Sequence, residues 1–138
     1  MAPRHFTRTF LDADVLITAY GTQRPFKSVA LDLLDESDRI FLSSPFVRHE
    51  VCPKALFNHR REEYRFYVEY FQRTAMFNDV RLILERAGHE AGRSGVGAMD
   101  SLHIAAAHLL EADEFITTET PRKSIYRTNL VKVTYLFA

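Results

Sequence analysis

"FLDADVLI", residues 10–17, places two carboxylates, Asp12 and Asp14, one residue apart between apolar runs. A strand interior is a costly place for an uncompensated carboxylate. The stretch therefore reads as a strand that ends at Asp12 and a helix that begins just beyond it. Residues 9–11 form the strand, and residues 15–20 form the helix, which Gly21 stops. Asp14, directly before Val15, is the expected helix N-cap. Asp12 is the expected site residue, because parallel α/β sheets bind ligands beyond the carboxyl ends of their strands.

Working outward, Val29, Leu33 and Leu34 share one helical side over residues 26–38, with Asp32, Asp35, Glu36 and Asp38 on a solvated face. Residues 40–43 form a second strand. Ser44 and Pro45 supply an N-cap and a first helical residue. The helix they open carries Val47, Glu50 and Val51, and Cys52–Pro53 is expected to interrupt or kink it. Residues 61–76 form a long aromatic helix whose stripe of Tyr64, Tyr67, Val68 and Phe71 is expected to pack in the core. Residues 80–93 are helical, and "GRSGVG", residues 92–97, is a flexible break. An Ala-rich helix over residues 98–110, a strand over 114–118, the loop "TPRKS" and a final strand over 131–137 complete the chain. This alternation predicts an α/β three-layer sandwich, with a central, mainly parallel sheet flanked by helices. The length of 138 residues predicts a single domain spanning residues 1–138.

Composition narrows the function. The 46% hydrophobic fraction, with 11 Phe and 6 Tyr, provides for a packed core. Lys plus Arg and Asp plus Glu both number 18, so the net charge is zero and a generally basic nucleic-acid binder is disfavoured. A local basic stretch nevertheless runs through "KALFNHRREEYR", residues 54–65. Cys52 stands alone, which removes internal disulfides and Cys-rich zinc sites. No apolar run spans a bilayer, and the N-terminus "MAPRHFTRTFLDADV" carries no secretory signal, so the expectation is a cytoplasmic protein with no membrane partner.

The strand-end rule collects acids from distant parts of the chain. Asp12 ends the first strand, Glu50 lies about two turns into the helix after the second, Asp100 opens the Ala-rich helix, and Glu119 follows the third strand. Converging carboxylates raise one another's pKa, and a divalent cation relieves the repulsion. Hard oxygen donors without Cys select Mg²⁺ or Mn²⁺ over zinc. Such ions commonly serve phosphodiester chemistry by polarising the phosphoryl group and activating water.

"FLDADVLI", "SSPFVRHEV" and "MDSLHIAAAHLLEADEFITTE" resemble, in order, the motifs of PIN-domain nucleases, and the resemblance spans nearly the whole chain. It implies a metal-dependent endoribonuclease acting on RNA. Single-domain members of the family are often the toxin of a VapBC-type toxin–antitoxin pair. Carried over by position, the resemblance implies catalytic roles for Asp12, Glu50, Asp100 and Glu119, with Asp12, Glu50 and Asp100 holding the metal. Two positions depart from the family pattern. Asp14 stands where many members have Asn, and Glu119 stands where the fourth acid is usually Asp; either is a candidate to tune a water or a second ion, and Asp14 to touch the metal shell directly or through water.

Neighbouring residues suggest further expectations. His103, one turn beyond Asp100, is expected to pack or to contact a ligand-bearing side chain. Thr117 and Thr118 are placed to bond a carboxylate or a water. Asp113 is expected in a turn, His108 at the surface and Cys52 in a structural role. Arg48, Lys54, Arg60, Arg61 and Arg65 are candidates to hold RNA phosphates, or else form a solvated face. The toxin reading implies an antitoxin partner whose Arg or Lys enters the acidic pocket, and a homodimer or antitoxin surface on the aromatic helix around Tyr64–Phe71. Two other functions compete. "DADVL" also fits the start of a haloacid-dehalogenase-type phosphatase, although Leu16 stands where that family usually has Thr or Val and no later Lys plus acidic pair is evident. The chain also fits a non-catalytic PIN-like scaffold that binds RNA or protein.

Overall fold

The computed structural model describes residues 5–138. Residues 1–4, on which the expectation of no secretory signal partly rests, lie outside the described residues. Along the chain run β1 (Thr7–Leu11), α1 (Ala13–Tyr20), α2 (Phe26–Leu34), β2 (Arg39–Ser43), α3 (Pro45–Phe57) and α4 (Arg61–Gln72). Then come β3 (Ala75–Met76), α5 (Val80–Ser94), α6 (Ala98–Leu109), β4 (Glu114–Thr117), a 3₁₀ turn (Ser124–Arg127) and β5 (Val133–Tyr135). The strands form one five-stranded sheet in the order β3-β2-β1-β4-β5. All four pairings are parallel, as expected for strands joined through helices. The helices pack as the pairs α1–α2, α3–α4 and α5–α6.

Central strands of such a sheet are buried on both faces and read as continuous apolar runs. Phe10, Leu11, Leu42, Phe115 and Ile116 are accordingly buried. Phe10 pairs with Leu42 on one side and Phe115 on the other, and the Phe10 and Phe115 rings stack with centroids 5.4 Å apart. Removing a buried Phe side chain of this kind costs about 3–5 kcal/mol. The Ala105–Ala107 run of α6 is fully buried, where small side chains permit close backbone approach. Among the described residues, no helix is long and apolar enough to cross a membrane.

Local chemistry set several element ends as expected. Ser44 caps α3, its hydroxyl accepting from the Phe46 N–H at 3.2 Å, with Pro45 following. Asp113 accepts from the Arg8 N–H at 2.7 Å in the turn before β4.

Tertiary context changed others. α3 runs through Pro53 without a break, and Pro53 lies on an exposed side of the helix. α2 stops at Leu34, four residues before the expected end. α4 stops at Gln72, and Ala75–Met76 pair with Leu42 and Ser43 as an edge strand, too short to show an alternating pattern. α5 continues through Gly92 to Ser94, and the break begins at Gly95, whose φ of 75° is the left-handed C-cap conformation glycine adopts most easily. β5 covers only Val133–Tyr135, because Phe137 leaves the sheet to pack on Phe26. Tyr67, Tyr70 and Phe71 are buried within the chain, as expected for core packing, while Tyr64, Phe66 and Val68 are only partly buried.

Candidate functional site

Strand order places the site. From β1 the chain proceeds to β2 and β3 on one side of the sheet, while β4 and β5 lie on the other. The carboxyl ends of β1 and β4 therefore bound the crevice where strand order reverses, the usual ligand position in such sheets. Asp12 follows β1 and Glu119 follows β4 across this crevice.

Asp12 is held from three directions. Its backbone N–H donates to the Ile116 carbonyl at 3.0 Å, which continues the β1–β4 ladder. Its Oδ1 accepts from the Ala13 N–H at 2.8 Å, and its Oδ2 accepts from the Thr117 hydroxyl at 2.9 Å. Asp12, not Asp14, is thus the N-cap of α1, which starts at Ala13 rather than Val15. Asp14, freed from capping, turns back onto the end of β4. It accepts from the Thr118 N–H at 3.2 Å, and its other oxygen lies 3.2 Å from the Thr117 hydroxyl. That hydroxyl also accepts from the Glu119 N–H at 3.1 Å, and the Tyr126 hydroxyl donates to the Glu119 carbonyl at 2.7 Å. One buried threonine therefore joins both aspartates to the segment bearing Glu119.

Asp100 lies half-buried in the first turn of α6, where the helix dipole favours negative charge. Glu50, on α3, is held by His103 on α6 through a close Nε2–Oε1 contact. His103 is 1% exposed, and its Nδ1 has no hydrogen-bond partner among the described residues. The nitrogen facing Glu50 must carry the proton of that bond. His103 lies on the Asp100 side of α6, as its spacing implied; its pairing with Glu50, 53 residues away, has no signature in the sequence.

The electrostatics are those of crowded, poorly neutralised acids. Burial, then the neighbouring Asp14, push the Asp12 carboxyl from 3.8 up to about 7, against the opposing pull of His103 and Thr117. Burial raises Asp14, with Glu119 adding to the rise. Burial also raises Asp100, with Glu119, Asp14 and Glu50 adding and His103 opposing. Asp14 and Asp100 thus act on Asp12, Glu119 acts on Asp14, and Glu119, Asp14 and Glu50 act on Asp100, while no Lys or Arg pairs with Asp12, Asp14 or Asp100 among the described residues.

The donors fit a hard divalent cation: carboxylate oxygens, no thiolate, and buried negative charge that wants neutralising. They do not stand as a finished cage. Among the described residues, no group of three or more His, Cys, Asp or Glu side chains is assembled at ligand spacing.

The basic candidates, Arg48, Lys54, Arg60, Arg61 and Arg65, are all exposed. Lys54 and Arg60 line a small cavity of about 120 Å³ together with Glu50 and Ile17. Arg60 and Arg61 line a larger cleft of about 570 Å³ beside Ile17 and Gly21. Arg60 also contacts Glu63 at 3.4 Å. His108 is exposed, and Cys52 is buried, its thiol pushed up by burial, in keeping with a structural role.

The family model described as PIN domain matches residues 9–121. Comparison with curated protein sequences finds no match. Among solved structures, the chain is similar to one in VapBC2 from Rickettsia felis bound to a DNA fragment from their promoter. There the TM-score is 0.71 at 14% identity, covering 94% of this chain and 98% of that one. It is also similar to one in VapBC-1 from nontypeable Haemophilus influenzae, with a TM-score of 0.70 at 17% identity, covering 96% of this chain and 100% of that one. FitAcB from Neisseria gonorrhoeae gives a TM-score of 0.65 at 19% identity, covering 94% and 98%.

Proposed function

Because the chain belongs to the PIN domain family, we propose that it is a metal-dependent endoribonuclease, hydrolysing RNA phosphodiester bonds as one PIN-like domain over residues 1–138. The observation that supports this best is the set of mutually repelling acids, led by Asp12 and Asp100, around the β1–β4 switch point. Asp12, Asp100 and Glu50 would hold Mg²⁺ or Mn²⁺, which when bound supplies neutralising charge to the scissile phosphate and activates water for attack. Thr117 keeps Asp12 oriented, His103 keeps Glu50 at the acidic edge, and the segment anchored by Tyr126 presents Glu119 to the attacking water. Lys54 and Arg60, beside Glu50, give the phosphate backbone a cationic contact.

We further propose that the chain is the toxin of a type II toxin–antitoxin pair in the cytoplasm. The support is that similar structures are those of VapBC and toxin–antitoxin complexes. The partner is a small antitoxin whose Lys or Arg enters the acidic crevice and supplies the neutralising charge. A homodimer or antitoxin contact on α4 would use its partly buried side chains Tyr64, Phe66 and Val68.

The deciding experiment measures cleavage of RNA with Mg²⁺ or Mn²⁺ by the wild type and by Asp12→Asn and Asp100→Asn. Loss of cleavage by about 100-fold or more in both is expected, since each removes charge that acts in the transition state. Metal-dependent cleavage undiminished in both variants refutes the assigned roles. A non-catalytic scaffold is the second reading, favoured by the absence of a preassembled ligand group among the described residues. It predicts metal binding by titration with no turnover on any RNA. The phosphatase reading loses ground to the family match over residues 9–121, and only a covalent phosphate trapped on Asp12 would revive it.

A further inference from the structure

We infer that an aromatic cleft beside the acidic edge is a stacking subsite for one nucleobase of the RNA substrate; the inference rests on the ribonuclease reading above. The cleft, about 540 Å³, lies between the α1–α2 turn and the end of β5. Phe26, Tyr135 and Phe137 give it aromatic walls, and Thr22, Gln23 and Thr118 give it polar groups. The Phe26 and Phe137 rings lie 4.8 Å apart at 60°, and Phe137 meets Tyr135 edge-on at 5.7 Å. Phe26 is 44% exposed, so its ring is accessible to a ligand from the cleft.

Three features select the occupant. None of the lining residues is charged, so the cleft favours a neutral planar group over a phosphate. Aromatic walls with a few amide and hydroxyl groups suit a base, which stacks through its faces and hydrogen-bonds through its edges. The cleft is also continuous with the acidic edge, because Thr118 lines it while donating its N–H to Asp14 at 3.2 Å. On its other side it shares Ile17, Gly21 and Thr22 with the cleft containing Arg60 and Arg61. That neighbouring cleft carries Arg61 and Arg60, the latter in contact with Glu63 at 3.4 Å, beside Glu62, so an RNA strand crossing the end of α1 meets a mixed-charge cleft on one side and an uncharged aromatic slot for a base on the other.

The test compares the wild type with Phe26→Ala and Phe26→Leu on short single-stranded RNAs carrying one abasic site at each position in turn. In the wild type, removing the base at one position near the cleaved bond is expected to raise KM about tenfold, the worth of one base–aromatic stack, with little change in kcat. Phe26→Ala is expected to raise KM on intact RNA by a similar factor and to make that position insensitive to base removal. Phe26→Leu keeps apolar volume without an aromatic face, so an equal loss there excludes a folding defect as the cause. Normal cleavage with the same abasic profile in all three proteins overturns the subsite and leaves the nuclease reading standing. An unchanged KM in both variants also overturns it. A wild type that neither binds nor cleaves RNA removes the nuclease reading, and the subsite with it.

Discussion

Replacing Asp12 by Asn is expected to stabilise the metal-free chain at pH 8 while abolishing cleavage. Asp12 is 6% exposed, and its carboxyl is pushed from 3.8 to about 7, first by burial and then by Asp14. A carboxyl whose folded value is raised binds its proton more tightly folded than unfolded. The stability it allows is therefore complete below its ordinary value and is lost as pH rises toward 7. The rise spans about three decades of proton affinity, and at ~1.4 kcal/mol per decade the ionised group costs roughly 4 kcal/mol above pH 7. Asn carries no charge and nearly the same shape. Its Oδ1 can still accept from Ala13, and its Nδ2 can donate to the Thr117 hydroxyl, which then donates to Asp14. With part of the acidic crowding remaining, the expected gain is about 2–4 kcal/mol at pH 8 and close to zero near pH 4. At roughly 3 °C per kcal/mol for a chain of this size, the melting temperature should rise by about 6–12 °C. Thermal melts of both proteins in EDTA, from pH 4 to 8, measure this. Adding Mg²⁺ or Mn²⁺ should then raise the wild-type melting temperature more than that of the variant. A variant less stable than wild type at pH 8, or a difference independent of pH, refutes the reasoning.

Three other outcomes follow from particular side-chain pairings. His103→Ala should lower stability by about 2–4 kcal/mol in urea melts and reduce cleavage about tenfold or more, with partial rescue by His103→Gln, which can still donate toward Glu50. Buried Glu90 accepts from Arg93 at 2.8 and 3.0 Å and from Thr128 at 2.6 Å, tying α5 to the segment before β5. The Arg93 guanidinium holds its carboxyl below 4.5, so the stability lost in Glu90→Gln should be full above 4.5 and should shrink as pH falls through the lowered folded value, read from urea midpoints at pH 7 and pH 3. Lys54→Ala with Arg60→Ala should flatten the dependence of log RNA affinity on log salt by about 0.7 for each phosphate no longer neutralised; an unchanged slope returns both residues to the solvated face.

Much of the architecture was legible in the sequence because its causes are local. Apolar runs bounded by turns announced β1, β2 and β4, helical spacing announced the helices between them, and Ser44–Pro45 announced the start of α3. The same locality placed Asp12 at a strand end and Asp100 at a helix start. Where sequence reading missed, long-range packing had the larger energy. It carried α3 past Pro53 and made an edge strand of Ala75–Met76. It also gave the cap of α1 to Asp12 and left Asp14 to the end of β4.

By itself, then, the sequence determined an alternating α/β chain with acids spaced to reach its strand ends, because hydrogen-bonding periods and capping act over a few residues. Only the tertiary structure decided that β1 lies beside β4, that Thr117 binds both Asp12 and Asp14, that His103 takes Glu50, and that Phe26 and Phe137 pack together on the wall of one cleft. Those pairings join segments far apart in the chain. They are selected by the burial and hydrogen bonding of the whole fold, which no short stretch encodes.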